Sequence, residues 1–141
     1  LKRPNPNTEF IISDQGDGII NNAILKIPPK HDLLNACIKV CSNAKDNIKW
    51  GQTGPNLLTE AVKKYKLDRY LTPTYEIYPI AWQNWHWLFR AETYNVAKES
   101  TKHATYLHLW NEMIRRSQLN KQLAPPRDSY LEELFCINQI V

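Results

Sequence analysis

The stretch Trp50-Gly51-Gln52-Thr53-Gly54-Pro55-Asn56-Leu57-Leu58-Thr59-Glu60-Ala61-Val62-Lys63-Lys64-Tyr65-Lys66 reads as a tight glycine turn that opens a helix. Pro55 suits the first helical turn, where its missing N–H would be unpaired in any case. Leu57, Leu58, Ala61, Val62 and Tyr65 then recur with helical spacing and define one apolar face. Thr59, Glu60, Lys63, Lys64 and Lys66 fall mostly on other sides. A helix start behind a glycine turn presents backbone N–H groups that a polar ligand could meet. The same pattern also serves as a plain loop-to-helix junction. The local pattern leaves both readings open.

Working outward, the chain alternates apolar segments with turns. Residues 1–8 are rich in proline and asparagine and read as a loop. Glu9 to Ser13 is expected to be a short strand, and Asp14-Gln15-Gly16-Asp17-Gly18 a turn. The two acids in that turn fit turn chemistry better than a metal site. Ile19 to Ile27 reads as a buried strand interrupted by Asn21-Asn22, two amides that either face a ligand or cap the strand end. From about Asp32 a helix is predicted with Leu33, Leu34, Cys37, Ile38 and Cys41 on one face. Tyr75 to Pro79 is predicted as a strand. Trp82 to Phe89 is dense in aromatics, with Trp85, Leu88 and Phe89 spaced as a short helix face. Residues 90–102 read as a helix or a lid-like loop. Ala104 to Trp110 alternates as a strand should, with Leu107 and Leu109 toward the core and Tyr106, His108 and Trp110 on the other face. Residues 112–127 are polar and basic and end in Pro125-Pro126. Asp128 or Ser129 is placed to cap a last helix that carries Tyr130, Leu131, Leu134, Phe135 and Ile137. This order implies an α/β fold, taken as a single domain over residues 1–141.

Composition narrows the class. Hydrophobic residues make up 43% and charged residues 23% of 141 positions, which excludes a disordered tail. No apolar run approaches the roughly 20 residues of a membrane span. Leu1 to Pro6 contains no apolar core of a signal peptide, and the chain begins without Met, which leaves room for upstream sequence. A net charge of +4 suits an anionic ligand or surface but comes without a basic run, so nucleic acid is not an expected partner. Cys37, Cys41 and Cys136 form no Cys-x-x-Cys pair and are read as small buried hydrophobes of a reducing compartment.

Three segments carry a resemblance. They are Trp50-Gly51-Gln52-Thr53-Gly54-Pro55-Asn56-Leu57-Leu58-Thr59, then Tyr78-Pro79-Ile80-Ala81-Trp82-Gln83-Asn84-Trp85, then Ala104-Thr105-Tyr106-Leu107-His108-Leu109-Trp110-Asn111. In this order and spacing they resemble the C-terminal region of glycosyltransferase family 32, of the α-1,4-galactosyltransferase type. Asn21-Asn22-Ala23-Ile24-Leu25 is similar to an Asn-Gly-Ala segment of that family, with Asn22 in place of Gly. The resemblance covers roughly residues 19–111.

What it implies is the C-terminal part of a GT-A fold. The implied activity is retaining transfer of a hexose such as galactose from a nucleotide sugar, a UDP-sugar, to a hydroxyl of a glycan or glycolipid. Such enzymes hold Mn²⁺ or another divalent metal on the donor diphosphate with an Asp-x-Asp motif, because a departing diphosphate carries charge that a metal stabilises. This sequence contains no Asp-x-Asp. The resemblance places that motif just upstream of Leu1, with the donor-binding half. The chain is therefore expected to hold a half-site, and its activity alone is open.

Carried over residue by residue, Gln52, Thr53, Gly54 and Pro55 would border the donor sugar or the acceptor, beside their role in starting a helix. Asn22 could hydrogen-bond the donor sugar. Trp82 and Trp85 could stack on an acceptor sugar, while core packing competes for Trp82, Trp85 and Trp87. His108 could ligate the metal or contact the diphosphate, with Trp110 and Asn111 adjoining it; a strand histidine also serves structure alone. No carboxylate stands out as a general base, and the donor phosphate can take that role. The three segments are expected to gather around one cleft. The competing readings are a non-catalytic carbohydrate-binding module and an inactive remnant. Membrane-peripheral association fits relatives, which are lumenal Golgi proteins in eukaryotes and cytoplasmic or membrane-peripheral in bacteria, so the compartment stays open.

Overall fold

The computed structural model describes residues 1–44, 48–49, 51–120 and 122–140. Trp50, which opens the turn-helix stretch, lies outside them. The architecture is helical: α1 (Asp32–Asn43), α2 (Pro55–Lys64), α3 (Thr74–Ile77), α4 (Tyr94–Thr101), α5 (Asn111–Arg116) and α6 (Tyr130–Ile137), with 3₁₀ turns at Asp68–Tyr70, Trp82–Phe89 and Ala91–Thr93. The fold agrees with part of a glycosyltransferase domain at that coarse level. Among the described residues none of the helices is long and apolar enough to cross a membrane.

The chain forms two compact units, one spanning Pro4–Ile77 and one made of Leu1–Arg3 and the chain from Tyr78 onward. In the first, α1 packs on α2 over a core of Ile12, Ile20, Leu33, Leu58, Ala61, Val62 and Leu67. His31 caps α1: its Nδ1 accepts the Leu33 N–H at 3.1 Å. In the second, the 3₁₀ run Trp82–Phe89, α4 and α6 enclose Ile80, Leu88, Ala97, Tyr130 and Leu131. Ser129 caps α6 by accepting the Glu132 N–H at 3.2 Å, while the Glu132 carboxylate reaches back past the cap to accept the Asp128 N–H at 2.7 Å. Within that core the Tyr130 and Thr101 hydroxyls lie 2.7 Å apart and Thr101 donates to the Lys98 carbonyl at 3.1 Å, so the Thr101 oxygen is left to accept the Tyr130 proton.

Several expectations change. Among the described residues only two antiparallel bridges, Ile11 with Lys26 and Asp14 with Ile20, stand where two strands were predicted. An apolar run becomes a strand only when another strand takes its N–H and C=O groups. Here Asp14 Oδ1 takes the Gly16 N–H at 2.6 Å and Asp17 Oδ1 takes the Ile19 N–H at 3.1 Å, so side chains cap the groups a ladder would use. The stretch predicted as a strand at Tyr75–Pro79 instead enters α3, which starts right after Pro73 and returns the Glu76 N–H to the Pro73 carbonyl at 2.9 Å. Residues 104–110 form no ladder, and the predicted faces do not hold: Leu109 is 37% exposed whereas Trp110 is 6% exposed. Trp110 goes inward because its indole N–H finds the Ile80 carbonyl at 2.8 Å. On α1 only Leu33 is fully buried, and Ile38 is 62% exposed. Cys41 and Cys136 are exposed rather than buried, and all three cysteines are free thiols.

Candidate functional site

The glycine turn is built by amides. Gly51 has φ +78, a conformation that L side chains avoid, and an added Cβ would stand 3.1 Å from the Asn56 amide. The Gly51 carbonyl accepts the N–H groups of Gly54 and Asn56 at 3.1 and 3.0 Å. Gln52 closes the turn, its side-chain oxygen accepting the Lys49 N–H at 3.0 Å. Thr53 offers its carbonyl to the Cys41 thiol at 3.8 Å. Gly54 caps α2 with no side-chain bond, and Pro55 occupies the first turn as predicted. The Asn22 amide lies just beyond Gly54, at 3.8 Å from where a Cβ would sit.

Thr59 is the residue that fixes this geometry, and it sits inside rather than on the polar face expected of it. It is 8% exposed. Its hydroxyl accepts the Ile20 N–H at 2.9 Å and donates to the Pro55 carbonyl at 2.8 Å. It thereby ties the Asn21-Asn22 segment to the first turn of α2. The two asparagines divide the roles that the sequence left open. Asn21 is buried, with its amide donating to Gln15 at 2.8 Å and its oxygen accepting the Ala23 N–H at 2.8 Å. Asn22 is exposed.

The second unit brings two of the three motifs together. Tyr78 is buried and its ring meets His108 edge-on at 5.7 Å and Trp110 at 5.8 Å. The His108 and Trp110 rings lie 4.3 Å apart, near perpendicular. The Trp110 indole N–H donates to Ile80, so Tyr78-Pro79-Ile80 and His108-Leu109-Trp110 form one cluster across thirty residues. Trp110 adopts φ +51, ψ +51, left-handed for a large aromatic residue, and caps α5. Such conformations persist where surroundings over-determine them and gather at functional sites. The Trp110 backbone N–H donates to His108 Nδ1 at 3.2 Å. Burial pushes the His108 imidazolium down, so the neutral ring is favoured. Asn111, the first residue of α5, is exposed.

The tryptophans differ. Trp82 is 39% exposed, Trp85 is half-buried against Phe89 with ring centroids 5.6 Å apart, and Trp87 packs on the Ile80–Leu88 core. Sequence reasoning missed Thr59 and Tyr78 as site-shaping residues. Tyr78 opened a quoted motif and could have been weighed. Thr59 closed another quoted motif, but its acceptor role depends on Ile20, thirty-nine positions earlier, and no local spacing shows it.

Among the described residues no group of three or more His, Cys, Asp or Glu converges as metal donors. Asp14 Oδ1 and both carboxylate oxygens of Asp17 are taken up in hydrogen bonds within the turn. The donor set described here does not fit a divalent cation, which prefers several oxygen ligands.

Comparisons with known proteins place the chain in a family. The family model for the alpha 1,4-glycosyltransferase conserved region matches residues 26–138, and the chain belongs to that family. It is 30% identical over 128 residues to lactosylceramide 4-alpha-galactosyltransferase of Rattus norvegicus, covering 80% of this chain and 34% of that protein. Against the proteins of the same name from Pongo pygmaeus and Homo sapiens, identity is 27% and 29% over 121 residues, covering 75% of this chain and 54% and 33% of theirs. The chain thus spans between about a third and about half of the relatives it matches. No solved structure matches it.

Proposed function

We propose that this chain supplies the acceptor-side, C-terminal part of a retaining α-1,4-glycosyltransferase of GT-A type, as one domain with the donor-binding residues. The reaction moves a hexose such as galactose from a UDP-sugar to a hydroxyl of a glycan or glycolipid. The observation that carries this reading is the Tyr78–His108–Trp110 cluster, which gathers two family motifs on a left-handed tryptophan. Trp82 and Trp85 offer aromatic faces to the C–H faces of an acceptor sugar. In the unit Pro4–Ile77, Asn22, Gln52, Thr53, Gly54 and Pro55 are the residues that would border a sugar, Asn22 being exposed. His108 and Asn111 offer polar groups at the end of the His-Leu-Trp-Asn segment. A divalent metal on the donor diphosphate belongs to the proposal only through ligands other than the described residues.

The test is saturation-transfer NMR of the chain with a lactose-terminated acceptor and, separately, with UDP-galactose, alongside an assay of hexosyl transfer to the same acceptor. The reading expects saturation of acceptor protons, with loss in a Trp82→Ala chain. A chain with intact near-UV circular dichroism that saturates neither ligand overturns it.

A further inference from the structure

We infer that the segment between α5 and α6 is a peripheral membrane contact, in which Leu119 and Leu123 enter the headgroup layer of an anionic bilayer and Arg115, Arg116 and Arg127 lie beside its charged headgroups. The inference goes beyond the sugar-transfer reading and stands without it. It starts from charge. Residues 113–127 hold four of the 18 Lys and Arg and none of the 14 Asp and Glu, so the rest of the chain sums to zero. Lys121, one of the four, lies outside the described residues and enters by its charge alone. The bordering acids are Glu112 and Asp128. Glu112 accepts from Arg115 at 2.7 Å and from Arg116 at 2.8 Å, so one carboxylate faces two guanidinium groups. Arg115, Arg116 and Arg127 are all exposed.

The apolar part sits inside this stretch. Leu119 is 39% exposed and Leu123 69%. The Leu123 N–H bonds to the Asn120 carbonyl at 3.2 Å, so one hydrogen-bonded turn separates the two leucines. A single exposed leucine is ordinary on a protein surface. Two at one turn, among charges that are all positive, have the composition of an interfacial contact. The ends of the segment are fixed, because Ile114, Ser129 and Tyr130 are buried. The Ser117 hydroxyl donates to the Ile114 carbonyl at 2.7 Å and accepts the Leu119 N–H at 3.1 Å. The Asn120 side-chain oxygen takes the Gln122 N–H at 3.0 Å. Pro125 and Pro126 carry no N–H. The backbone beside both leucines therefore keeps these bonds when water is withdrawn, which lowers the cost of entering a headgroup layer.

Other anionic partners fit less well. Residues 111–129 contain no aromatic side chain on which a base could stack. A soluble polyanion would use the arginines and leave the leucines in water, whereas a bilayer uses both. Two leucines and a few charges give reversible binding, as a peripheral contact requires.

Flotation of the full chain with lipid vesicles tests this. Vesicles of equal parts phosphatidylcholine and phosphatidylserine should carry the chain, and pure phosphatidylcholine should bind it about tenfold more weakly, with the difference shrinking as salt rises. Leu119→Ser with Leu123→Ser should weaken binding to the mixed vesicles roughly tenfold. Arg116→Gln with Arg127→Gln should weaken it about fivefold per charge. All four positions are exposed, so both double variants should keep the wild-type melting temperature. A second readout needs no substitution. Lipid with a nitroxide beside its headgroup should broaden the methyl signals of Leu119 and Leu123 and spare those of Ile38 and Ile137, which are also exposed. The inference is overturned by a folded chain that stays off the mixed vesicles, by equal binding to both kinds of vesicle, or by broadening that reaches all four side chains alike. Vesicle binding that heparin abolishes and that the leucine pair leaves unchanged assigns the surface to soluble polyanions, and overturns it too. A chain that binds the vesicles but saturates neither sugar ligand overturns the sugar-transfer reading alone.

Discussion

Thr59→Val tests the link between the glycine turn and the asparagine segment. Valine has almost the volume and branching of threonine, and the two have similar helix propensities, so packing and backbone are conserved to first order. On apolar burial alone, the change at a residue 8% exposed should stabilise the chain. The hydrogen bonds predict the opposite. The hydroxyl accepts the N–H of Ile20, a residue 4% exposed, and valine leaves that donor unpaired. An unsatisfied buried group costs about 1–3 kcal/mol, while the lost bond to Pro55 removes donor and cost together. Thr59→Ser keeps the hydroxyl and gives up one methyl, about 0.8 kcal/mol. The expected order of stability is wild type, then serine, then valine. Urea unfolding followed by far-UV circular dichroism measures it. A valine chain as stable as wild type, or more stable than the serine chain, refutes the claim that Thr59 anchors Ile20.

Gly51→Ala forces a side chain into φ +78 against the Asn56 amide and should cost about 1–2 kcal/mol in the same titration. Trp110→Phe removes the indole donor and leaves the Ile80 carbonyl short of a partner, for about 2–4 kcal/mol, read as an earlier unfolding midpoint. Trp82→Ala should change stability by less than about 1 kcal/mol, because the ring is 39% exposed, yet abolish saturation transfer to a lactose-terminated acceptor. Burial holds the folded-state pKa of His108 below its unfolded value of about 6.5. The folded state therefore binds fewer protons, and the His108 contribution is present above that pH and lost as pH falls through the folded value. Melting curves between neutral and mildly acidic pH should show a shallower decline for His108→Asn than for wild type.

Helix positions were legible where a start signal and an apolar stripe coincided. Pro55 after the glycine turn announced α2, and Ser129 announced α6. The strands were not legible, because alternation shows only that a segment could pair. At Ile19–Ile27 the N–H groups of Ile19 and Ile20 go to the side chains of Asp17 and Thr59, which take bonds a ladder would need. The helical face of α2 was read correctly for Leu58, Ala61 and Val62 and wrongly for Thr59. A threonine turns inward when a distant backbone donor meets it, and no local spacing encodes that meeting. For the site, the sequence named His108 and Trp110 together but not how they act on each other.

That mutual action bears on how family motifs should be interpreted. In His108-Leu109-Trp110 the two ring-bearing ends are coupled by one backbone hydrogen bond, and Trp110 is held by one indole bond and a left-handed backbone. A change at Trp110 would reach the histidine through its backbone even though the indole points at Ile80. Phenylalanine there preserves the N–H and should preserve the His108 tautomer while lowering stability. Proline there removes the N–H and cannot adopt φ +51, so it should release the tautomer and disrupt the start of α5 together. Stability and ring chemistry are therefore separable at this position by the choice of residue. A Trp110→Phe chain that has lost the Nε2–H form would show that the ring contact, and not the backbone N–H, selects the tautomer.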